Sequence, residues 1–347
     1  MSVGEITVII VSWNDADEAE AAVASLDAAR RRIATNGPRV SLVVVGNGPG
    51  SLARQRILDV WPDAVVVVNA ENRGFGPAAN QAASLAAGDV LLFLNPDARA
   101  EEEPFSALVR GFEEHPEAVG LAPRLVEEDG RTVPSNPGRP LALRSVRRED
   151  QFTFQLRRLP TLASDLRELM LWDHLQHDTP GRRRDRYADA DRDTPFPVEQ
   201  PAASALAVRT SVFRRMGGFD EAFVPAWFED VDLCARLARE GPILHWPAAR
   251  FRHAGGASSR SLGYARFLPV YYKNALLYRR RHYSLPARLA YHALLVSGML
   301  LRLAGTYFRR EAPRAPAESR RAYLATLAVA LGLGKSKIEN PKSKIYG

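Results

Sequence analysis

Two acids stand at the front of a predicted helix in the segment AWFEDVDLCARLAREG, residues 226–241, directly after two bulky aromatic side chains. Apolar residues at helical spacing predict that this helix runs from Val231 onward. Glu229 and Asp230 at its start have two interpretations. Acids complement the positive end of a helix dipole; alternatively, one carboxylate lies at the edge of a cleft beside aromatic walls and accepts a proton.

The same helix carries an Asp and an Arg four residues apart. This spacing predicts that Asp232 and Arg236 pair on its exposed side. Cys234, the single cysteine, lies on the apolar side and is expected to be packed there. One cysteine excludes an internal disulfide framework and a cysteine-rich zinc site.

Two further segments could hold a cation. In LFLNPDA, Asp97 follows a buried strand and can bind a divalent cation whose other ligands are substrate phosphates, while the Asn95 amide can bond a sugar hydroxyl. In FRHAGGASS, His253 follows another strand, and a neutral imidazole suits a manganese-type site. A strand-end Asp is also a common turn residue, and a lone His is more often structural than a ligand.

The segment NAENRGFGPAANQA could bind an anion. Arg73 can donate two hydrogen bonds to a phosphate, and Gly74 and Gly76 let the backbone approach a ligand closely. A helix N-terminus, which favours anions, follows them. Both common phosphate-binding fingerprints, the Walker loop and G-x-G-x-x-G, are missing from this segment.

Alternating strands and helices must position these residues. Near-continuous apolar runs predict strands, and the segments between them predict helices; the strands are 6–13, 40–47, 64–69 and 89–97, and the helices 17–34, 51–60 and 76–88. The pattern indicates an α/β fold, with a mostly parallel sheet covered by helices on both faces. Ligands of such sheets bind beyond the carboxyl ends of the strands, where the polar segments fall.

Charge divides the chain unevenly. The net charge is +7, but residues 250–347 hold 19 Lys or Arg against three acids, whereas residues 1–249 hold 28 against 37. A basic C-terminal part predicts an anionic partner, which could be nucleic acid, a membrane surface or a phosphorylated substrate. The chain begins with a buried strand instead of a signal peptide, so we expect a cytoplasmic protein.

Three regions follow from these patterns. Residues 1–261 form the α/β domain, in which the charged stretch 139–195 is a solvated insertion or an acceptor-binding loop. Residues 262–347 form a helical extension whose longest uncharged apolar run has thirteen residues, too short to span a membrane but suited to lying on its face. Residues 335–347 are expected to be a disordered basic tail.

Five motifs occur in an order that resembles a known family. TVIIVSWN, NRGFGPAANQA, LFLNPDA, GGFDEAFVPAWFEDVDLCARLAREG and FRHAGGAS are similar, over roughly residues 5–260, to the family-two inverting glycosyltransferases of the GT-A fold, in particular a bacterial rhamnosyltransferase-like branch. The resemblance implies a nucleotide-sugar donor, a divalent cation (Mn²⁺ or Mg²⁺) and a hydroxyl acceptor.

The resemblance also implies roles for single residues. Asp230 would be the general base, supported by Glu229, and Asp97 would bind the metal, with His253 completing its shell. On the donor side lie residues at the strand ends and in the phosphate-side loop: Ser12, Asn14, Arg73, Gly74, Asn80, and Asn95 at the ribose. On the acceptor side lie Trp227, Phe228 and Ser204.

Two departures from the family pattern bear on specificity. The family usually has Asp-Asn after its second strand, where this chain has Gly46-Asn47, so recognition of the nucleobase falls to Asn47 or to backbone groups. The strand before the GGFD turn usually carries Gly-Ala, where PAASALAVR has Ala203 and Ser204, which predicts a changed fit of the acceptor.

The leading hypothesis is transfer of L-rhamnose from dTDP-L-rhamnose to a lipid-linked or polysaccharide acceptor at the inner membrane face. A second keeps the fold but uses a UDP-linked galactose, glucose or N-acetylhexosamine. A third is a nucleic-acid-binding protein with a basic arm. Two observations argue against it: the Arg residues of the basic region alternate with long Leu runs, and the region has no zinc-finger or RRM-type signature. A fourth is a non-catalytic sugar-binding relative.

Overall fold

The computed structural model describes residues 3–126, 155–171, 179–253, 263–308 and 316–333. Its first half is a parallel sheet of four strands: β1 Glu5–Ser12, β2 Arg39–Gly46, β3 Val65–Val68 and β4 Val90–Leu94. Their order across the sheet is β3-β2-β1-β4, and every neighbouring pair is parallel. The carboxyl ends of these strands therefore share one edge, as the sequence predicts.

Five further strands extend the sheet beyond β4: β5 Ala98–Ala100, β6 Gly120–Val126, β8 Phe196–Val198, β10 Ala205–Arg209 and β11 Ile243–His253. Their order from β4 outward is β10-β6-β11-β5, and β8 pairs with β11 as well. β10 runs antiparallel to β4 and β6, whereas β11 is parallel to β6. Because β10 is reversed, its first residues lie at the edge where β4 ends.

Helices cover both faces of the sheet: α1 Ala16–Arg30, α2 Arg54–Val60, α3 Phe75–Leu85, α4 Pro104–Glu114, α7 Thr210–Arg215 and α8 Glu229–Leu237. Successive residues of β1 enter opposite cores, because side chains alternate along a strand. Ile6, Val8 and Ile10 pack with α1, α2 and α4, while Ile9 packs with α3, α7 and α8.

The charged stretch contributes short elements where it is described. β7 Leu156–Arg157 pairs with β9 Gln200–Pro201, and two helices follow β7: α5 Leu162–Leu169 and α6 Pro180–Asp185. The predictions for the rest of residues 139–195, at 139–154 and 172–178, lie outside the described residues, as does the predicted basic tail.

The C-terminal extension forms three helices, α9 Tyr264–His282, α10 Leu285–Phe308 and α11 Pro316–Ala330. They share a third apolar core with α8 and the segment before it, which contribute Phe223, Phe228, Val231 and Ala235. The extension thus packs directly on the helix that carries Asp230.

Several predicted element ends were wrong. The third helix stops at Leu85, before Gly88, because the Gly88 amide bonds the Thr7 hydroxyl (3.0 Å) and a side chain at Gly88 would collide with the Thr7 backbone. Strand β4 ends at Leu94, and residues 95–98 turn instead, closed by a hydrogen bond from the Ala98 amide to the Asn95 carbonyl (3.1 Å). Helix α8 begins at Glu229, two residues earlier than the apolar spacing indicates.

Candidate active site

Asp97, Asn95 and His253 converge at the carboxyl edge of the sheet. The antiparallel register of β5 and β11 places His253 opposite Ala98, one residue past Asp97. His253 Nε2 lies 3.1 Å from Asp97 Oδ1 and 3.3 Å from Asn95 Nδ2. The structure therefore brings together three residues that the sequence singled out from two segments 158 positions apart.

The chemistry of this cluster fits a divalent cation. Burial opposes ionisation of Asp97, but the hydrogen bond and charge of His253 outweigh it and hold the pKa of Asp97 below its ordinary value. A carboxylate oxygen and an imidazole nitrogen are both ligands of manganese-type ions, so Asp97 and His253 together could hold one. Within the described ranges, no group of three or more His, Cys, Asp or Glu side chains could hold a metal ion.

The start of β10 connects this cluster to the acidic pair. The backbone amide of Asn95 donates to the Ser204 carbonyl (3.0 Å), which places the backbone of Ser204 beside the turn that contains Asp97. One residue earlier, the backbone of Ala203 hydrogen-bonds the Asp230 carboxylate, which also accepts from the Val231 amide (2.8 Å). Residues 203–204 therefore lie between the candidate metal ligands and the candidate base.

Asp230 and Glu229 form a carboxyl pair with raised pKa values. Burial raises the pKa of Asp230 despite the hydrogen bonds from Val231 and Ala203 and the positive charge of Arg157. Burial, and then the charge of Asp230, raise the pKa of Glu229 well above its ordinary value. Glu229 is 7% exposed and its Oε2 has no hydrogen-bond partner within the described part of the chain. Burial thus disfavours the charged form of both carboxyl groups, and it does so most strongly at Glu229.

The two aromatic residues before the pair have an unusual backbone. Trp227 (φ 74°) and Phe228 (φ 71°) are both left-handed, a conformation that bulky residues rarely adopt. Their rings pack on α9: Trp227 lies 4.8 Å from Phe267 and Phe228 lies 5.1 Å from Tyr271, between ring centroids. Both aromatic side chains that the sequence predicted beside the carboxylates thus pack against α9.

The prediction that Asp232 faces solvent was wrong. It does pair with Arg236 (2.8 Å), but it is 2% exposed, because His282 of α9 covers its other oxygen at 2.8 Å. Burial alone would raise the pKa of Asp232, but His282 and Arg236 hold it below the ordinary value. Asp232 and Asp230, two residues apart, thus have pKa shifts of opposite sign.

On the donor side, Ser12 and Asn47 bond the chain's own loops. The Ser12 hydroxyl donates to the Ser51 carbonyl (3.0 Å), and both residues are fully buried. Asn47 is 2% exposed and uses both ends of its amide: Nδ2 donates to Asn72 and Gly74, and Oδ1 accepts from Asn69 and from the Arg73 backbone. These side chains shape the donor loop instead of directing free polar atoms at a ligand.

The loop that Asn47 holds presents Arg73 to solvent. Gly74 (φ 91°) needs its freedom there, because a side chain would come within 2.9 Å of Val224. The next amide, Phe75, donates to the Pro225 carbonyl (2.8 Å), so this loop abuts the segment before the acidic pair. Asn14 is exposed and left-handed (φ 59°) just past β1.

Asn80 lies one turn further into α3 and fixes the GGFD turn. Its Nδ2 donates to the Phe219 carbonyl (2.9 Å) and its Oδ1 accepts from the Phe219 amide (2.9 Å). The structure gives Asn80 a scaffolding contact, and the donor contact that the resemblance implies stays a prediction.

Comparison with known proteins indicates a family. A family model described as glycosyl transferase family 2 matches residues 7–166. Over these residues the chain is similar to glycosyl transferase family 2. It is 27% identical over 262 residues to the N-acetylglucosaminyl-diphospho-decaprenol L-rhamnosyltransferase of Mycobacterium tuberculosis, in strains CDC 1551 / Oshkosh and ATCC 25618 / H37Rv. That match covers 72% of this chain and 75% of the relative.

Solved structures confirm the fold. GalNAc-T7 with UDP, GalNAc and Mn²⁺ superposes with a TM-score of 0.51 at 14% identity, over 93% of this chain; the match spans 54% of that structure's length. The mannosyltransferase PcManGT from Pyrobaculum calidifontis, with GDP-Man and Mn²⁺, gives 0.51 at 14% identity, over 94% of this chain and 86% of that one. The chain has the GT-A fold that the motifs indicate.

One residue of the site carries no sequence signal. Asn274 lies in the middle of α9, is fully buried, and bonds the backbone before the acidic pair. A single Asn within an aromatic and basic helix belongs to none of the five motifs.

Proposed function

We propose that this protein is an inverting glycosyltransferase that moves L-rhamnose from dTDP-L-rhamnose to a hydroxyl group of a lipid-linked or polysaccharide acceptor in cell-envelope glycan synthesis. The observation that carries the proposal is the position of Asp230. Its carboxylate has a raised pKa and lies on one side of residues 203–204, while Asp97 and His253 lie on the other.

Inverting transfer is a single displacement, which needs one base and one charge-stabilised leaving group. Asp230 takes the proton of the acceptor hydroxyl as that oxygen attacks the anomeric carbon, and the bond from this carbon to the diphosphate breaks. Burial disfavours the charged form of Glu229, which limits the negative charge beside Asp230. Trp227 and Phe228 exclude water and so support the basicity of Asp230.

Asp97 and His253 would hold a divalent cation, Mn²⁺ or Mg²⁺, with the Asn95 amide beside them. When bound, such a cation neutralises charge on a leaving diphosphate. Arg73, which is exposed, is proposed to contact the same phosphates. Support for a cation comes from the convergence of a carboxylate and an imidazole at the sheet edge and from the Mn²⁺ in both compared structures.

Recognition of the nucleobase cannot follow the family's usual carboxylate. A Cβ on Gly46 would lie 3.1–3.3 Å from three carbon atoms of Leu52, so Leu52 already fills this space. The Asn47 amide is fully engaged with loop residues. Backbone groups and the Leu52 side chain are therefore proposed to contact the base. The alternative donor is a UDP-linked galactose, glucose or N-acetylhexosamine.

We also place the protein on the cytoplasmic face of the membrane, bound through α10. Leu285 (64%) and Leu289 (63%) are strongly exposed there, next to Arg288 and near Arg280. Apolar side chains ringed by cations suit an anionic lipid surface. Among the described helices, α10 alone is long and apolar enough to cross a membrane by length and composition, over Leu285–Tyr307, with 22% of that window buried; this is weak evidence for a span.

A donor panel tests the function. Thermal stabilisation with manganese is measured for dTDP-L-rhamnose and for the UDP-linked galactose, glucose and N-acetylhexosamine, followed by transfer to an N-acetylglucosaminyl-diphospho-lipid. We expect the dTDP sugar to stabilise the wild type most and Asp97→Ala to lose that effect. Stabilisation by a UDP sugar alone would select the alternative donor, and no transfer from any donor would contradict the function.

A further inference from the structure

Helix α9 holds the segment in front of the base helix through one buried side chain, Asn274. Its Nδ2 lies 2.9 Å from the carbonyl oxygen of Ala226, 3.0 Å from that of Trp227 and 3.5 Å from that of Val224. A single amide group therefore gathers three of the four carbonyls in residues 224–227, the turn that leads into α8.

This turn needs an external support. It ends in the two left-handed aromatic residues, Trp227 and Phe228, whose backbone conformation is unfavourable for their side chains and persists only where the surroundings enforce it. Phe228, as the residue that precedes α8, supplies no side-chain hydrogen bond to the first amides of that helix. The direction in which α8 leaves the turn, and with it the position of Asp230, thus depends on contacts from outside.

Packing alone does not account for an amide at position 274. Asn274 is fully buried, and its Oδ1 has no hydrogen-bond partner within the part of the chain that the structure describes. A buried polar atom without a partner lowers stability, and an apolar side chain of the same size would avoid that loss. The donor geometry of Nδ2 is the feature that explains the residue.

We propose that Asn274 is a positioning residue: it fixes the turn 224–227 so that Asp230 aligns with the backbone of Ala203 and with the acceptor hydroxyl. The inference rests on the proposed function of Asp230 as the base. The donor side has its own anchor on the same turn, the hydrogen bond from the Phe75 amide to the Pro225 carbonyl (2.8 Å). Loss of the Asn274 amide is therefore expected to affect turnover and leave donor binding intact.

Three variants of the full-length protein test this role. Asn274→Leu keeps the size but removes both donors, and Asn274→Ser keeps one smaller donor. Thr326→Val is the matched control, because Thr326 is fully buried in α11 of the same apolar core and its hydroxyl donates within its own helix, to Ala322 (2.8 Å). We expect kcat to fall by roughly 10- to 10²-fold in Asn274→Leu, as for a small misplacement of a reacting group, and by less in Asn274→Ser. The donor KM should stay unchanged in both, and Thr326→Val should keep its kcat.

A double variant separates positioning from general destabilisation. If Asn274 acts through Asp230, adding Asn274→Leu to Asp230→Asn causes no further loss of the residual kcat, because the two changes remove the same contribution. A further loss equal to that in the wild-type background would overturn the proposal. So would an unchanged kcat in Asn274→Leu, or a rise in donor KM that accounts for the whole effect.

A spectroscopic readout does not depend on sugar transfer. The chain has five tryptophans, and the Trp227 resonance in a 5-fluorotryptophan-labelled protein is assigned with Trp227→Phe. We expect ¹⁹F NMR to show this resonance shifted in Asn274→Leu and in Asn274→Ser, and unmoved in Thr326→Val. An unmoved Trp227 signal in Asn274→Ser would refute the inference even if Asn274→Leu failed to fold. If the wild type transfers no sugar but the Trp227 signal moves in the Asn274 variants, the proposed function is refuted and the support of the turn by Asn274 is still established.

Discussion

Replacing Asp230 by Asn separates the general-base hypothesis from the helix-start hypothesis. Asn keeps the size of the side chain, and its Oδ1 can still accept from the Val231 amide that the carboxylate binds at 2.8 Å. What it loses is the negative charge and the ability to take a proton. If Asp230 is the base, kcat should fall by roughly 10²- to 10⁴-fold, the contribution of a positioned base.

The direction of the pKa shift decides what happens to stability. An acid that stabilises a helix start is itself stabilised in its charged form, by about 0.3–1 kcal/mol, and its pKa falls. The pKa of Asp230 is raised instead, since burial outweighs its backbone hydrogen bonds. The folded protein therefore disfavours this charge, and Asp230→Asn should melt at the same temperature as the wild type or higher.

The assay measures kcat, donor affinity and melting temperature for Asp230→Asn beside Asp232→Asn. Asp232 lies on the same helix, but its pKa is lowered, so the folded state favours its charge. We expect Asp232→Asn to lose thermal stability and keep most of its turnover, the reverse of Asp230→Asn. A folded Asp230→Asn protein with wild-type turnover would refute the base assignment, and a lowered melting temperature with normal turnover would restore the helix-start hypothesis.

Three further outcomes are expected. Asp97→Ala should abolish transfer and remove Mn²⁺ binding seen by electron paramagnetic resonance, and donor affinity and turnover that persist in chelator would contradict the metal assignment. Glu229→Gln should retain more turnover than Asp230→Asn and raise the melting temperature. Because the pKa of Glu229 is raised on folding, wild-type stability falls as pH rises above the unfolded value of about 4.3. The advantage of Glu229→Gln in melting temperature should therefore grow as pH rises from that value, and a difference that is constant with pH would argue against a buried ionisable Glu229. The double variant Leu285→Glu, Leu289→Glu should bind anionic vesicles more weakly than the wild type without a change in melting temperature. The wild type should not bind duplex DNA at the same salt concentration. Unchanged vesicle binding by the double variant would exclude α10 as the membrane-binding surface.

The sequence predicts the sheet well because its signal is local. Runs such as ITVIIVSW and DVLLFL are apolar on both faces, which a parallel strand between two helical layers requires, and both are central strands. The ends of elements were less predictable, since they depend on distant partners. Gly88 stops α3 only because β1 lies against it, and no pattern within residues 76–88 reveals Thr7 as the neighbour.

The sequence predicts candidate site residues best where one segment contains both the side chain and the strand end that positions it. Asp97 follows β4 and His253 ends β11, but their contact depends on the short antiparallel strand β5, which the sequence did not predict. Asn47 and Asn80 were harder, because an Asn near a phosphate loop can bind either the ligand or the loop. The structure shows both amides bound to the backbone of their own chain.

The division of the chain at residue 262 shows why composition misleads about function here. The change to aromatic and basic residues marks a new element, and the sequence assigned it to the membrane. Yet α9 buries Asp232 through His282, packs Phe267 on Trp227 and holds the turn before Asp230 through Asn274. Removal of residues 262–347 would uncover the apolar side of α8 and remove these supports, so it cannot distinguish membrane binding from folding. The exposed leucines of α10 point away from that core, which makes their substitution the selective test. The extension thus has two surfaces: α9 packs on the glycosyltransferase core, and α10 presents the surface that we propose binds lipid.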